Sequence, residues 1–253
     1  MKEIKKIKKM KEIKKIKKTN KMKEIKKIKK TNKMKEINKP IFISTEGEDN
    51  IESNLSFLIE LLGSSLLETY VEDILNIHSS KIINIRQVPH PTNPPKEELT
   101  SGQPIIFYGN YKATHYTCSI DGTHIWDSYR QNIQVNGTDH FCQIFALMCI
   151  ENAVFPNSYI SKQFSNLKNK QFMENAFIAK NVACDILELL NSDFNIIQIV
   201  KEVLISTDRS GNIRHKLNPK ANFTINNFIK YCRNLTLTDM YNSSFKQKVF
   251  MTI

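Results

Sequence analysis

The first forty residues cannot supply a hydrophobic core, so the fold must be built from residues 41–253. Met-Lys-Glu-Ile-Lys-Lys-Ile-Lys-Lys begins at Met1, Met10 and Met22, and a truncated copy begins at Met34. The apolar residues Ile4, Ile7, Met10, Ile13 and Ile16 fall three apart. On a helix each such step rotates the stripe by about 60°, so it smears within two turns. Like-charge repulsion opposes a helix further. The period is also far below the ~20–50 residues of solenoid units, which marks low complexity rather than architecture. A disordered basic arm ending at Pro40 is the expectation.

The arm also accounts for the charge. Residues 1–40 hold 19 Lys and 4 Glu, out of 37 basic and 25 acidic residues in the chain. Residues 41–253 therefore carry 18 basic and 21 acidic side chains, close to neutrality, although the whole chain stands at +12. A basic pI is thus no argument for a nucleic-acid-binding fold in the body. The arm itself is suited to nucleic acid or another anionic surface.

Five cysteines at irregular spacing, with no secretory apolar segment ahead of the body, predict reduced thiols in an intracellular, non-secreted protein. No run approaches the ~18 apolar residues of a membrane span.

Within the body, apolar residues from Ile51 to Leu75 recur at helical spacing, and Gly63-Ser64-Ser65 predicts a break into two helices. Strands are predicted at Lys81–Val88, Pro104–Tyr108, Ala113–Ile120 and Thr123–Tyr129. The four prolines of Pro89–Pro95 form a loop, and Asp121-Gly122 forms a turn. The all-apolar centre of the second strand predicts burial on both faces. Helices follow at about 142–153, 171–191, 194–206 and 221–233, so residues 158–253 are mainly helical. The class is α+β, a small, mainly antiparallel sheet packed with helices.

Chemistry concentrates between Thr114 and Ala146. His115-Tyr116, Trp126-Asp127-Ser128 and Gln134-Val135-Asn136-Gly137-Thr138-Asp139-His140-Phe141-Cys142 follow in that order, and Cys142 opens an apolar run of helical length. A thiol hydrolase needs a nucleophile, a base, an acid to orient the base and a donor for the oxyanion. Cys142, His115, Asp127 and Gln134 can fill these roles, with Gln131 as the alternative donor. Only a thiolate attacks, and a helix N-terminus and a neighbouring imidazolium both favour that form. His115 and Asp127 share a sheet face if Ile120-Asp121-Gly122 is a three-residue loop with Gly122 at positive φ; His115 then lies directly opposite Asp127. His140 is the rival base. Trp126 lines a substrate groove or packs in the core.

This order, with an aromatic after His115, the aromatic-Asp-Ser segment at Trp126–Ser128 and the Gln-x-Asn-Gly-x-Asp run from Gln134 to Asp139, resembles the ubiquitin-like-protein protease family. That family includes SUMO-specific proteases and adenovirus-type viral cysteine proteinases. The resemblance covers roughly thirty residues. It implies a cysteine-proteinase-like fold and an endopeptidase that cuts a protein precursor or a ubiquitin-like conjugate near glycine. It also implies a setting in the cytoplasm or in the virion of a large DNA virus, and no cofactor or metal. The family has Gly after its nucleophile, where this chain has Gln143.

Three other readings compete. Cys118, His124, His140 and Cys142 could be counted as zinc ligands, but their spacing matches no common site. Cys142 with His215 and Asn222 would give a papain-like order. The third is a non-catalytic structural or nucleic-acid-associated protein that uses only its basic arm.

Overall fold

A computed structural model describes residues 41–44, 50–109, 115–135, 141–191, 196–208 and 210–243. The expected disordered arm lies outside these residues, as do Ala113, Thr114 and the segment Asn136–His140.

The described elements begin with α1 (Asn50–Leu61) and the sheet strands β1 (Asn84–Val88), β2 (Ile105–Gly109), β3 (Tyr116–Ser119) and β4 (Ile125–Trp126). There follow α2 (Cys142–Val154), α3 (Tyr159–Phe164), α4 (Phe172–Leu190), α5 (Ile196–Ile205), α6 (Ile225–Asn234) and α7 (Leu237–Asn242). The class is α+β. Among the described residues, no helix is long and apolar enough to cross a membrane.

The centre of the fold is α2. Ile144, Phe145, Ala146, Leu147, Met148 and Ile150 have no exposed surface, and Cys142 and Cys149 little more. A helix that is apolar on every side must be enclosed on every side. The strands β2 and β3 pack against it, together with α3 and α4. Each Leu, Ile, Phe or Met buried there contributes roughly 1.5–3 kcal/mol, which fixes the position of the helix and its first residue.

The sheet runs β1-β2-β3-β4 and is mixed. The pairings β2–β3 and β3–β4 are antiparallel, but β1 and β2 are parallel, with Asn84 beside Ile105 and Val88 beside Gly109. A parallel pair needs a long connection, and the proline-rich loop with its short turn at Lys96–Glu98 provides it. Burial of β2 on both faces follows: Ile106 joins the main core, while Ile105 and Phe107 pack with Val88 in a second cluster beside Leu99 and Ile125.

Two expectations are corrected. Gly63-Ser64-Ser65 does not break the first helix. The backbone continues from Asn50 to His78 through two widened π turns, Leu62–Leu66 and Tyr70–Leu75, and becomes extended at Ser79. Leu61, Leu62, Leu66, Leu67 and Val71 are all buried, and their packing outweighs the modest helix cost of one Gly. The hairpin register is the second. Cys118 pairs with Trp126 and Ser119 with Ile125, enclosing the five-residue loop Ile120–His124 rather than a three-residue one. Asp121 builds the wider loop by accepting at Oδ1 from the Thr123 and His124 amides, 2.8 Å each. Gly122 does sit at positive φ, +70°.

Candidate active site

The wider loop shifts the register by two residues, and a two-residue shift preserves the sheet face. His115 and Asp127 are therefore not directly opposed, as the three-residue loop required. Asp127 instead leaves the end of β4 in a turn and reaches the imidazole from there. His115 Nε2 and Asp127 Oδ1 stand 3.0 Å apart.

That turn is tightly specified. Asp127 Oδ1 also accepts from the Tyr129 amide at 3.0 Å, and the Asp127 carbonyl accepts from the Gln131 amide at 3.0 Å. The Ser128 carbonyl accepts from the Ile133 amide, and the Asn132 carbonyl from the Lys170 amide. Asn132 takes the left-handed conformation, φ +54°, which Asn tolerates better than most residues. From α4, the fully buried Asn175 donates Nδ2 to the Ile133 carbonyl at 2.8 Å. The carboxylate is thus fixed on a polar framework and is 1% exposed. Its Oδ2, the Ser128 hydroxyl and Gln134 Oε1 are buried without a hydrogen-bond partner among the described residues.

Cys142 is the first residue of α2 and is 4% exposed. The amides of a helix's first turn face its N-terminal end, where they and the dipole favour negative charge. The Cys142 thiol is the second hydrogen-bonding neighbour of the His115 ring, so the imidazole is held between a carboxylate and a thiol. Burial by itself would lower the His115 pKa, but the hydrogen bonds and charges of Asp127 and Cys142 outweigh it and push the imidazole up to about 10. An imidazole with that value carries its proton at neutral pH.

Gln134 is buried and Gln131 is exposed. Trp126 faces Cys118 across the hairpin and rests on Phe164, ring centroids 5.8 Å apart, as a core-packing residue. His140 lies outside the described residues. His215, the histidine of the papain-like order, is buried against Phe57, with its Nε2 3.2 Å from Glu60 Oε2. His124 is paired with Asp121 on the surface, and Cys118 contacts Cys149. Among the described residues, no group of three or more His, Cys, Asp or Glu could hold a metal ion.

Two side chains that the sequence reading gave no role stand beside the site. Gln143 and Tyr116, the residues after Cys142 and His115, are buried and bonded to backbone carbonyls of the first helical run. The signal for Gln143 was its replacement of the family's Gly; Asn175 had none.

No protein-family model, curated protein or solved structure matches this chain.

Proposed function

We propose that this chain is a cysteine-type endopeptidase of the SUMO-protease and viral-proteinase kind. The observation that carries the reading is the His115 imidazole held between the Asp127 carboxylate and the Cys142 thiol, with that thiol at the head of the core helix. Cys142 sulfur attacks the scissile carbonyl. The His115 imidazolium, already protonated, gives its proton to the leaving amine. It then acts as base toward the water that releases the acyl group. Asp127 accepts from Nε2, fixes the tautomer and stabilises the imidazolium. The Cys142 amide and the Gln134 side chain are assigned to the oxyanion. The substrate is a polypeptide precursor or a ubiquitin-like conjugate cut near glycine. The 19 lysines of residues 1–40 attach the enzyme to a polyanion, with affinity that falls steeply as salt rises.

A peptide glycinal or glycine vinyl-sulfone probe tests the reading. One adduct per chain is expected, mapping to Cys142 and absent from Cys142→Ala. Labelling that persists in that variant, or no labelling of the native protein, would overturn it in favour of a non-catalytic protein that binds only through its arm.

A further inference from the structure

The residues that follow the nucleophile and the base dock on one stretch of one helix. Gln143, 4% exposed, donates Nε2 to the Ile59 carbonyl at 2.8 Å. Tyr116, 5% exposed, donates its hydroxyl to the Gly63 carbonyl at 3.3 Å. Ile59 and Gly63 are four residues apart, so their carbonyls are stacked one turn above the other. Gly63 lies in the first widened turn, Leu62–Leu66, where the Leu67 amide bonds to the Leu62 carbonyl, five residues back. Such a turn shifts the carbonyl ladder out of its regular alignment, and turns of this kind cluster at functional sites. A Cβ on Gly63 would meet Gln143 Nε2 at 3.5 Å, ordinary van der Waals contact, so the two sit side by side. Tyr116 also senses the site directly, because burial first and the charge of Cys142 second push its phenol well above the ordinary tyrosine range.

We infer that Gln143 and Tyr116 are positioning residues: by bonding to the Ile59 and Gly63 carbonyls of one widened helical stretch, they clamp the Cys142 helix and the His115 strand at the separation that joins thiol to imidazole. The inference rests on the cysteine-hydrolase reading and deepens it. Each side chain fixes the backbone of the residue before it. A thiol and an imidazole carried on separate elements would otherwise drift by fractions of an ångström, which is enough to weaken a hydrogen bond. The Gly that the family resemblance leads one to expect after the nucleophile could not make this contact.

The test is the pH dependence of Cys142 alkylation by iodoacetamide, followed by peptide mapping, in the full chain and in Tyr116→Phe, Gln143→Met and the double variant. In the native protein the rate should hold well below the ordinary thiol pKa of ~8.5. Each single change should move the low-pH limb upward, slowing alkylation at pH 6 roughly three- to tenfold and the double change more, with the rate at pH 9.5 unaltered, as expected where only the thiolate fraction falls. Ser161→Ala is the control: it removes a buried hydroxyl that donates to the Phe155 carbonyl at 2.7 Å at the far end of α2, and it should lower stability without moving the limb. Should the conservative pair of changes unfold the protein, Tyr116→Phe alone, which keeps the ring, decides. An ordinary thiol profile in the native protein would sink the hydrolase reading and this inference together. A low limb that stays in place in Tyr116→Phe and Gln143→Met would sink this inference alone.

Discussion

Asp127→Asn isolates the contribution of the acid. The substitution keeps the shape of the side chain and an acceptor for the Tyr129 amide, which bonds Oδ1 at 3.0 Å. It removes one full charge, 3.0 Å from His115 Nε2 at a position that is 1% exposed. A single opposed charge at such range moves a pKa by about 1–3 units. His115 is pushed up to about 10 by Asp127 and Cys142 acting together against burial. In Asp127→Asn it should therefore titrate between about 7 and 9. Each unit corresponds to about 1.4 kcal/mol, so the lost coupling is about 1.4–4 kcal/mol.

The sign of the linked stability follows from the direction of the shift. A histidine raised in the folded state, from about 6.5 in the unfolded chain, contributes stability that is fully present below pH ~6.5 and lost as pH rises through the folded value. The stability gap between native protein and Asp127→Asn should be widest near pH 6 and should narrow toward pH 10. Proton NMR of the His115 ring gives the pKa directly, and urea unfolding at the two pH values gives the linkage. A His115 titration that is the same in both proteins, or a gap of equal size at both pH values, would refute the reasoning.

Three other perturbations test the frame around the site. Gly122→Ala places a Cβ 1.8 Å from the Thr100 carbonyl oxygen at φ +70°. It should cost more than the ~1–2 kcal/mol of a left-handed residue alone, as read from the urea midpoint. Lys180→Met removes a buried ammonium that donates to the Cys232, Leu235 and Arg233 carbonyls at 2.9, 2.8 and 3.3 Å, closing the end of α6. A loss of about 2–4 kcal/mol is expected, because several buried carbonyls lose their donor at once. Deleting residues 1–40 should leave the unfolding midpoint and probe labelling of the body unchanged while abolishing salt-sensitive retention on heparin, since the arm has no apolar stripe with which to pack.

Local pattern carried much of this structure, and the failures lie where packing decided. The run after Cys142 was legible as a helix, and Cys142 is its first residue, because an all-apolar stretch behind a turn has few other solutions. The four strands were legible in place, though the first, third and fourth were read too long and the second was placed one residue early. The register was not, because Asp-Gly suits several turns and the five-residue loop is chosen by partners at Thr100 and Gly102, with the Gly102 amide bonded to the Asp121 carbonyl. The parallel pairing of β1 and β2 was also hidden, since it depends on how a proline loop crosses the sheet. Two short helices were overlooked although their caps are written in the sequence: Ser158 accepts from the Ser161 amide, and Thr236 and Asp239 form a reciprocal capping box. The candidates His115, Asp127 and Cys142, which the structure brings together, were named from their order. Their support by Gln143, Tyr116 and Asn175 was not, because it runs through backbone carbonyls far away in the chain.

The same distinction explains why one thiol among five stands out. All five cysteines are free and buried, so exposure cannot separate them and only the neighbour can. Burial pushes the Cys184 thiol up to about 12, and it holds Cys232 and Cys118 well above the usual range. Cys118 has Cys149 beside it, a second thiol with no positive charge to offer. Cys184 and Cys232 do have a cation nearby in Lys180, but its three protons point at the three carbonyls that end α6. Burial also pushes that ammonium down, and its charge, although it favours both thiolates, does not outweigh the burial of the thiols. Cys142 alone is joined to an imidazole whose proton is secured from behind by a buried carboxylate. The group ends at a helix N-terminus, where the dipole carries about half an elementary charge. For the proposed nucleophile, placement as the first helical residue, rather than accessibility, is then the feature on which reactivity would depend. One turn further along α2 the same thiol would gain neither the imidazole nor the dipole, and it would behave as Cys149 does, as a small apolar filler in the core.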